Sequence, residues 1–203
     1  MNSMGANKHE SISYKDVLKE ITTIGAGHAA AALSIIYNRP VYISVPEVDV
    51  IKVKELPKIR PSDSITAQSK IRISGDWKAY AFIVVKKSRI PILVSKLTGP
   101  TEYDITEEFV ISVMSELSTM LFGGYFSALG NFLLQSVLFT PPVVEPIGNN
   151  LLKDIESKGL LPSDKILLAK SDVLIENDEK ASLTLYTAYL LKTFHDMMPP
   201  LSK

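Results

Sequence analysis

A polar residue, three residues, a glutamate, two residues and a threonine, with a proline far downstream, occur twice in this chain. The first set is Asp16, Glu20, Thr23 and Pro46. The second is Ser112, Glu116, Thr119 and Pro142, each lying 96 residues after its counterpart. One fixed offset held over four positions marks an internal repeat, which constrains every later assignment of elements. A glutamate and a hydroxyl that recur together also point to a repeated site, because a merely solvated glutamate has no reason to keep the same neighbour.

Around each copy the pattern predicts a long helix. Residues 13–37 contain no proline, and Val17, Ile21 and Ile24 fall at i, i+4 and i+7. Ser11 or Ser13 is a candidate cap, and Asn38 with Pro40 ends the run. Residues 106–134 form the counterpart, with Thr106 as N-cap and Val113, Leu117 and Met120 as the apolar face. Projected at about 100° per residue, Asp16, Glu20, Thr23, Gly27, Ala31 and Ser34 share one stripe of the first helix. Ser112, Glu116, Thr119, Gly123, Ser127 and Gly130 share one stripe of the second. Each stripe is polar for two turns and small afterwards. It serves either close helix packing or a shallow groove for a partner, with Asp16, Ser112, Gly27 and Gly123 as partner-contacting positions.

Each helix is followed by strands. Residues 41–53 alternate but slip phase around Pro46, residues 54–63 read as a charged loop, and 65–74 with 78–87 form a pair around Gly75-Asp76. A short helix over 90–97 ends at Gly99-Pro100. In the second half, 136–145 is a strand broken by Pro141-Pro142, 149–158 a short helix, 164–176 and 179–190 strands around Asn177-Asp178, and 192–198 a short helix. The late strands align at an offset of 102, so the helix over 149–158 accounts for six inserted residues. The expected organisation is a disordered tail over 1–11 and one α+β domain over 12–203, built from repeats of about 12–99 and 104–203. Neither half has enough faces to bury alone, so two long helices should pack on a merged sheet with pseudo-twofold symmetry.

Composition narrows the partners. Lys plus Arg and Asp plus Glu are equal at 22 each, so no net field favours nucleic acid or an anionic membrane. There is no cysteine, and His9, His28 and His195 are scattered, so no metal site of the chain's own is expected. His28, beside an alanine run, is expected at the core edge. No apolar run approaches the roughly 18–20 residues of a spanning helix, and no targeting segment is visible, which favours the cytoplasm. Phosphate loops, nucleophile elbows and dinucleotide turns are absent.

The segment DVLKEITTIGAGHAAAALS over 16–34, with residues 41–48 after it, resembles the CheC branch of the CheC/CheX/FliY chemotaxis phosphatases. That family's motif is Asp or Ser, three residues, Glu, two residues, Asn, then 22 residues and Pro, and it typically occurs twice. The resemblance implies a CheC-like fold and an enzyme that docks on the phosphorylated response regulator CheY and promotes hydrolysis of its aspartyl phosphate. It implies that Glu20 and Glu116 contact the regulator's active-site lysine, that Thr23 and Thr119 stand where Asn positions the attacking water, and that Pro46 and Pro142 are structural. Any divalent metal belongs to the regulator, and no cofactor of the chain's own is implied.

The chain departs from the family at one position, identically in both copies. A Thr hydroxyl is shorter than an Asn carboxamide and is readily captured by a carbonyl one turn back. Reduced activity is therefore expected. The alternative is an adaptor that holds phosphorylated CheY, or the receptor deamidase CheD, without fast hydrolysis. A flagellar-switch role like that of FliY ranks below both, since no switch domain follows Lys203. An internally repeated chain supplies its own twofold, so a monomer is expected.

Overall fold

The computed structural model describes residues 14–59, 65–75, 79–99, 105–146, 161–191 and 194. The expected cap at Ser11 or Ser13, the tail over 1–11, the short helices over 149–158 and 192–198, and the histidines at 9 and 195 lie outside these residues or depend on positions that do.

Helix α1 (Tyr14–Tyr37) leads into β1 (Val41–Ile43) and β2 (Glu47–Lys52). Strands β3 (Ile65–Gly75) and β4 (Ala79–Lys86) and helix α2 (Ile90–Thr98) complete the first half. Helix α3 (Glu107–Leu133), β5 (Val137–Phe139), β6 (Val143–Pro146), β7 (Lys165–Ile175) and β8 (Asp178–Leu190) follow. The helix starts and stops follow local chemistry. The Thr106 side chain accepts from the Phe109 amide at 3.3 Å, satisfying one orphan donor of α3. Asn38 and Leu134, which follow the two long helices and are 96 residues apart, both adopt positive φ. Both breaks expected at the prolines are present: Pro46 separates β1 from β2, and Pro141-Pro142 separate β5 from β6.

All eight described strands join one antiparallel sheet of order β1-β7-β8-β4-β3-β5, with β2 also on β7 and β6 also on β3. The order is palindromic: exchanging each strand for its counterpart in the other half returns the same order reversed. Its midpoint is the β4–β8 pair, where Ile83 lies opposite Leu185, residues that are themselves 102 apart. The halves also exchange edges, since β1 and β2 pair with β7, and β5 and β6 pair with β3.

Period-two alternation gives the sheet two apolar faces. Ile71, Ile73, Ala81, Ile83, Val85, Leu167, Ala169, Leu183 and Leu185 pack with α1, α2 and α3 in the main core. Phe82, Val84, Ile166, Leu168 and Tyr186 form a second core on the other face, where the Phe82 and Tyr186 rings stack at 4.8 Å. Of the charged loop expected over 54–63, residues 54–59 belong instead to a 3-10 helix over Val53–Ile59. Val53 and Leu56 are its reason: three residues apart, they share one side of a 3-10 turn, and both are buried in that second core.

The long helices are rotated relative to the expected apolar faces. Leu18, Ile21, Thr22, Gly25, Ala26, Ala29 and Leu33 are buried in α1, while Val17 and Ile24 lie half-buried at the margin. In α3, Val113 and Leu117 are buried as expected, but Met120 is half-buried. The shift arises because each helix packs on its partner as well as on the sheet. A Cβ on Gly25 would lie 3.1 Å from Tyr125, and one on Gly124 would lie 3.2 Å from the Ala29 backbone. Position 25 thus faces 125–129 while positions 29–32 face 124, so the helices cross antiparallel. By length and composition α3 could cross a membrane, but Val113, Leu117, Leu121, Phe122, Phe126 and Leu129 along it are built into the core.

Candidate functional site

The two motif copies are exposed on separate helices. Asp16, Glu20 and Thr23 are exposed on α1, and Ser112, Glu116 and Thr119 are exposed on α3. Asp16, Lys19, Glu20, Thr23 and Ile24 line a shallow concavity of about 360 Å³. A spacing of three residues sets Glu20 and Thr23 about 4.5 Å apart along the axis and about 60° apart around it. A carboxylate and a hydroxyl therefore present side by side to anything that docks there. Because the helices run antiparallel about Ala29 and Tyr125, the copies fall on opposite sides of the crossing, on the order of 25 Å apart.

Each threonine is held by its own helix. Thr23 donates its hydroxyl hydrogen to the Lys19 carbonyl at 2.6 Å, and Thr119 donates to the Ser115 carbonyl at 2.8 Å. The donor is thereby used up, and the oxygen lone pairs remain directed outward as acceptors.

The small residues of the stripe divide between two roles. A Cβ at Gly27 or Gly123 would meet nothing within 4 Å, so these glycines open the surface beside Thr23 and Thr119. Close helix packing is the work of Gly25 and Gly124 instead. The stripe closes at its last members. Gly130, expected on the open groove, is buried, and a Cβ there would lie 3.0 Å from the Gln135 carbonyl oxygen. Its counterpart Ser34 accepts from the Val41 amide at 2.9 Å. Both positions sit where the chain turns back toward the next strand.

Pro46 is buried and Pro142 half-buried, each between the two edge strands that follow its helix. Lys15, in the first turn of α1, bonds Asp49 on β2 at 3.1 Å, so the segment after Pro46 lies against the motif-bearing half of α1.

Two neighbours of the sites carried no signal in the motif itself. Tyr37, at the end of α1, lies within electrostatic reach of Glu116. Burial, and secondarily that carboxylate, push its phenol up to about 12. Antiparallel helices place the end of one beside the start of the other, so Tyr37 follows from the packing once it is known. The second neighbour is His28. It is exposed rather than at the core edge, and with Ile24, Ala32, Gly124, Asn131 and Phe132 it lines the seam between the helices. The helix rotation that buries Gly25 turns His28 outward. Among the described residues no group of three metal-ligating side chains comes together.

No family model matches the chain. Over 156 residues it is 26% identical to the CheY-P phosphatase CheC of Bacillus subtilis (strain 168), covering 74% of this chain and 73% of that protein. Over 162 residues it is 24% identical to the flagellar motor switch phosphatase FliY of the same organism, covering 77% of this chain but 41% of FliY's length. Among solved structures, Thermotoga maritima FliY matches with a TM-score of 0.71 at 20% identity, over 90% of this chain and 92% of that one.

Proposed function

On the premise of a chemotaxis protein of the CheC-like family, which these relatives support, we propose that the chain docks on a phosphorylated CheY-type response regulator in the cytoplasm and promotes hydrolysis of its aspartyl phosphate. The observation that carries this reading is the exposed Glu-Thr pair on each long helix, with an open glycine one turn further on. The electrophile and any divalent metal belong to the regulator. This chain adds charge complementarity and a positioned water, which is how phosphoryl transfer is commonly accelerated.

Glu20 and Glu116 pair with a cationic side chain of the regulator and hold it in register. A water that donates one hydrogen to the Thr23 or Thr119 oxygen has a lone pair left to point at phosphorus. The internal hydrogen bond of each threonine favours this polarity, because the hydroxyl can then act toward the water only as an acceptor. The weakness is reach. The Thr oxygen is one bond closer to the backbone than an Asn amide oxygen, and a misplacement of about 1 Å can cost about 100-fold. That shortfall, together with the fixed rotamers, favours a second reading: the same surface holds the phosphorylated regulator without fast hydrolysis. CheD remains a second candidate partner on resemblance alone.

The test is phosphate release from an acetyl-phosphate-charged CheY-type regulator. Thr23→Asn combined with Thr119→Asn should raise the rate, by up to about 100-fold if reach is the whole deficit. Glu20→Gln with Glu116→Gln should remove the acceleration. A wild-type rate already at the level of the double Asn variant, and unaffected by the double Gln variant, would show that the site is elsewhere.

A further inference from the structure

We infer that each docking site is shared between the two long helices. The acid and the threonine come from one helix, and an exposed apolar side chain comes from the last turns of the other: Phe132 for the first site and Ile36 for the second. Each takes an apolar group of the same response regulator that the acid engages. The inference rests on the docking surface proposed above and adds residues to it.

Its starting observation is a recurrence. Phe132 is 55% exposed and Ile36 is 52% exposed, and they lie 96 residues apart, the offset that relates Glu20 to Glu116. A lone apolar side chain on a helix surface needs no explanation. One that recurs at the offset of the motif does, because its neighbours have not kept their character: Asn131 answers Ile35, and Leu134 answers Asn38.

Packing sets each of the two beside the opposite motif. Phe132 and Ile24 line a depression of about 510 Å³ along the seam between the helices. Ile24 also lines the concavity with Asp16, Glu20 and Thr23. The two hollows meet at Ile24, so the surface that carries Glu20 and Thr23 continues without a break to Phe132. The antiparallel crossing gives the second site the same layout. Gly124 packs on Ala29, so Ile36, seven residues further along α1, lies level with about residue 117 of α3, within a turn of Glu116 and Met120. Met120 is the counterpart of Ile24, and both are half-buried.

The layout states what must sit there. Glu20 and Ile24 are four residues apart, about 6 Å along the axis, so the matching surface carries a cation with an apolar group about that far away. Apolar contact at the flank keeps water from the ion pair between that cation and the glutamate. This strengthens the pair, and an aromatic anchor at such a place carries a large share of binding.

Crossed variants of the full chain test the assignment. The CheY-type regulator of the same organism is charged with beryllofluoride to measure binding and with acetyl phosphate to measure phosphate release. In a Glu116→Gln background, where the first site works alone, Phe132→Ala should weaken binding and raise KM about tenfold with kcat unchanged. Ile36→Ala should change neither there. In a Glu20→Gln background the two variants should exchange effects. Equal weakening by both in each background, or weakening by neither, would overturn the inference. So would self-association of the free chain that Phe132→Ala abolishes, since the apolar flank then belongs to a second copy. Failure of the proposed function looks different. Crossed binding effects with phosphate release at the regulator's own rate would remove the hydrolysis and leave the composite site standing. Binding and hydrolysis both indifferent to Glu20→Gln with Glu116→Gln, or no binding by the wild type, would overturn both readings.

Discussion

Adding a methyl group at Gly25 and at Gly27 should move stability in opposite directions, although the two positions lie half a turn apart on the same helix. Replacing an interior helical glycine by alanine gains about 1 kcal/mol in helix propensity wherever the methyl group fits. At Gly27 it meets nothing within 4 Å, so Gly27→Ala should keep that gain. At Gly25 it would lie 3.1 Å from Tyr125 Cδ2, 3.1 Å from the Tyr125 carbonyl oxygen and 3.2 Å from Leu129 Cγ. One of these atoms is backbone and cannot rotate away, so α1 and α3 must separate by a few tenths of an ångström. Overpacking of this kind costs about 1–3 kcal/mol. After the propensity gain, Gly25→Ala should be destabilised by about 0–2 kcal/mol, leaving the two variants about 1–3 kcal/mol apart. For a chain of this length the midpoint difference is about 2–4 °C per kcal/mol. Urea denaturation at constant m-value measures the gap directly. Equal stability of the two variants would falsify the close antiparallel crossing. The same pair separates packing from docking. If the regulator approaches the open glycine, Gly27→Ala should weaken its binding while raising stability, a combination that damage to the fold cannot produce.

Glu176, at the turn between β7 and β8, is bonded by Lys96 and Arg39, which hold its carboxyl below its ordinary value of 4.5. A depressed folded-state pKa contributes stability that is complete above the unfolded value and is lost as pH falls toward the folded one. The stability difference between wild type and Glu176→Gln should therefore shrink as urea midpoints are followed from neutral pH to below about 4.5, and a difference that grows on acidification would contradict the bridge. For Tyr37, burial is the larger cause of a phenol pushed up to about 12 and Glu116 the smaller. A carbon-13 NMR titration of the tyrosines in Glu116→Gln should find Tyr37 lowered but still above 10, and no change would place its phenol out of reach of the second site.

Much of the scaffold was legible because its signals are local. The Thr106 cap and the strand breaks at Pro46 and Pro141-Pro142 each depend on a few adjacent residues. What escaped depends on partners distant in sequence. The last hairpin, expected to turn at Asn177-Asp178, turns at Glu176-Asn177, both with φ near +55°. Glutamate is an unusual occupant of the left-handed region, and it is kept there by ion pairs to Lys96 of α2 and to Arg39 just beyond α1, and by its amide's bond to the Pro40 carbonyl at 2.7 Å. Which glycines of α1 face α3 also could not be read from the stripe, because helical phase is fixed by the partner helix. For the candidate site, the Glu and Thr positions came from the repeat, while Tyr37 beside Glu116 becomes visible only once the helices are crossed.

The exchange of edge strands has a consequence for how the chain comes into being. Val41 has Ile175 as its sheet partner, and Lys52 has Lys165. During synthesis β1 and β2 emerge early and then wait, their backbone donors and acceptors unanswered, until β7 leaves the ribosome near the end of translation. Pairings this remote in sequence close slowly, and an edge left open in the meantime invites association with the wrong chain. The early strands are poorly suited to such mistakes. β1 is three residues long, Pro46 interrupts the run, and β2 carries Glu47, Asp49 and Lys52 exposed, features that discourage edge-to-edge pairing. The charges on β2 protect the unfinished chain as well as decorating the finished one.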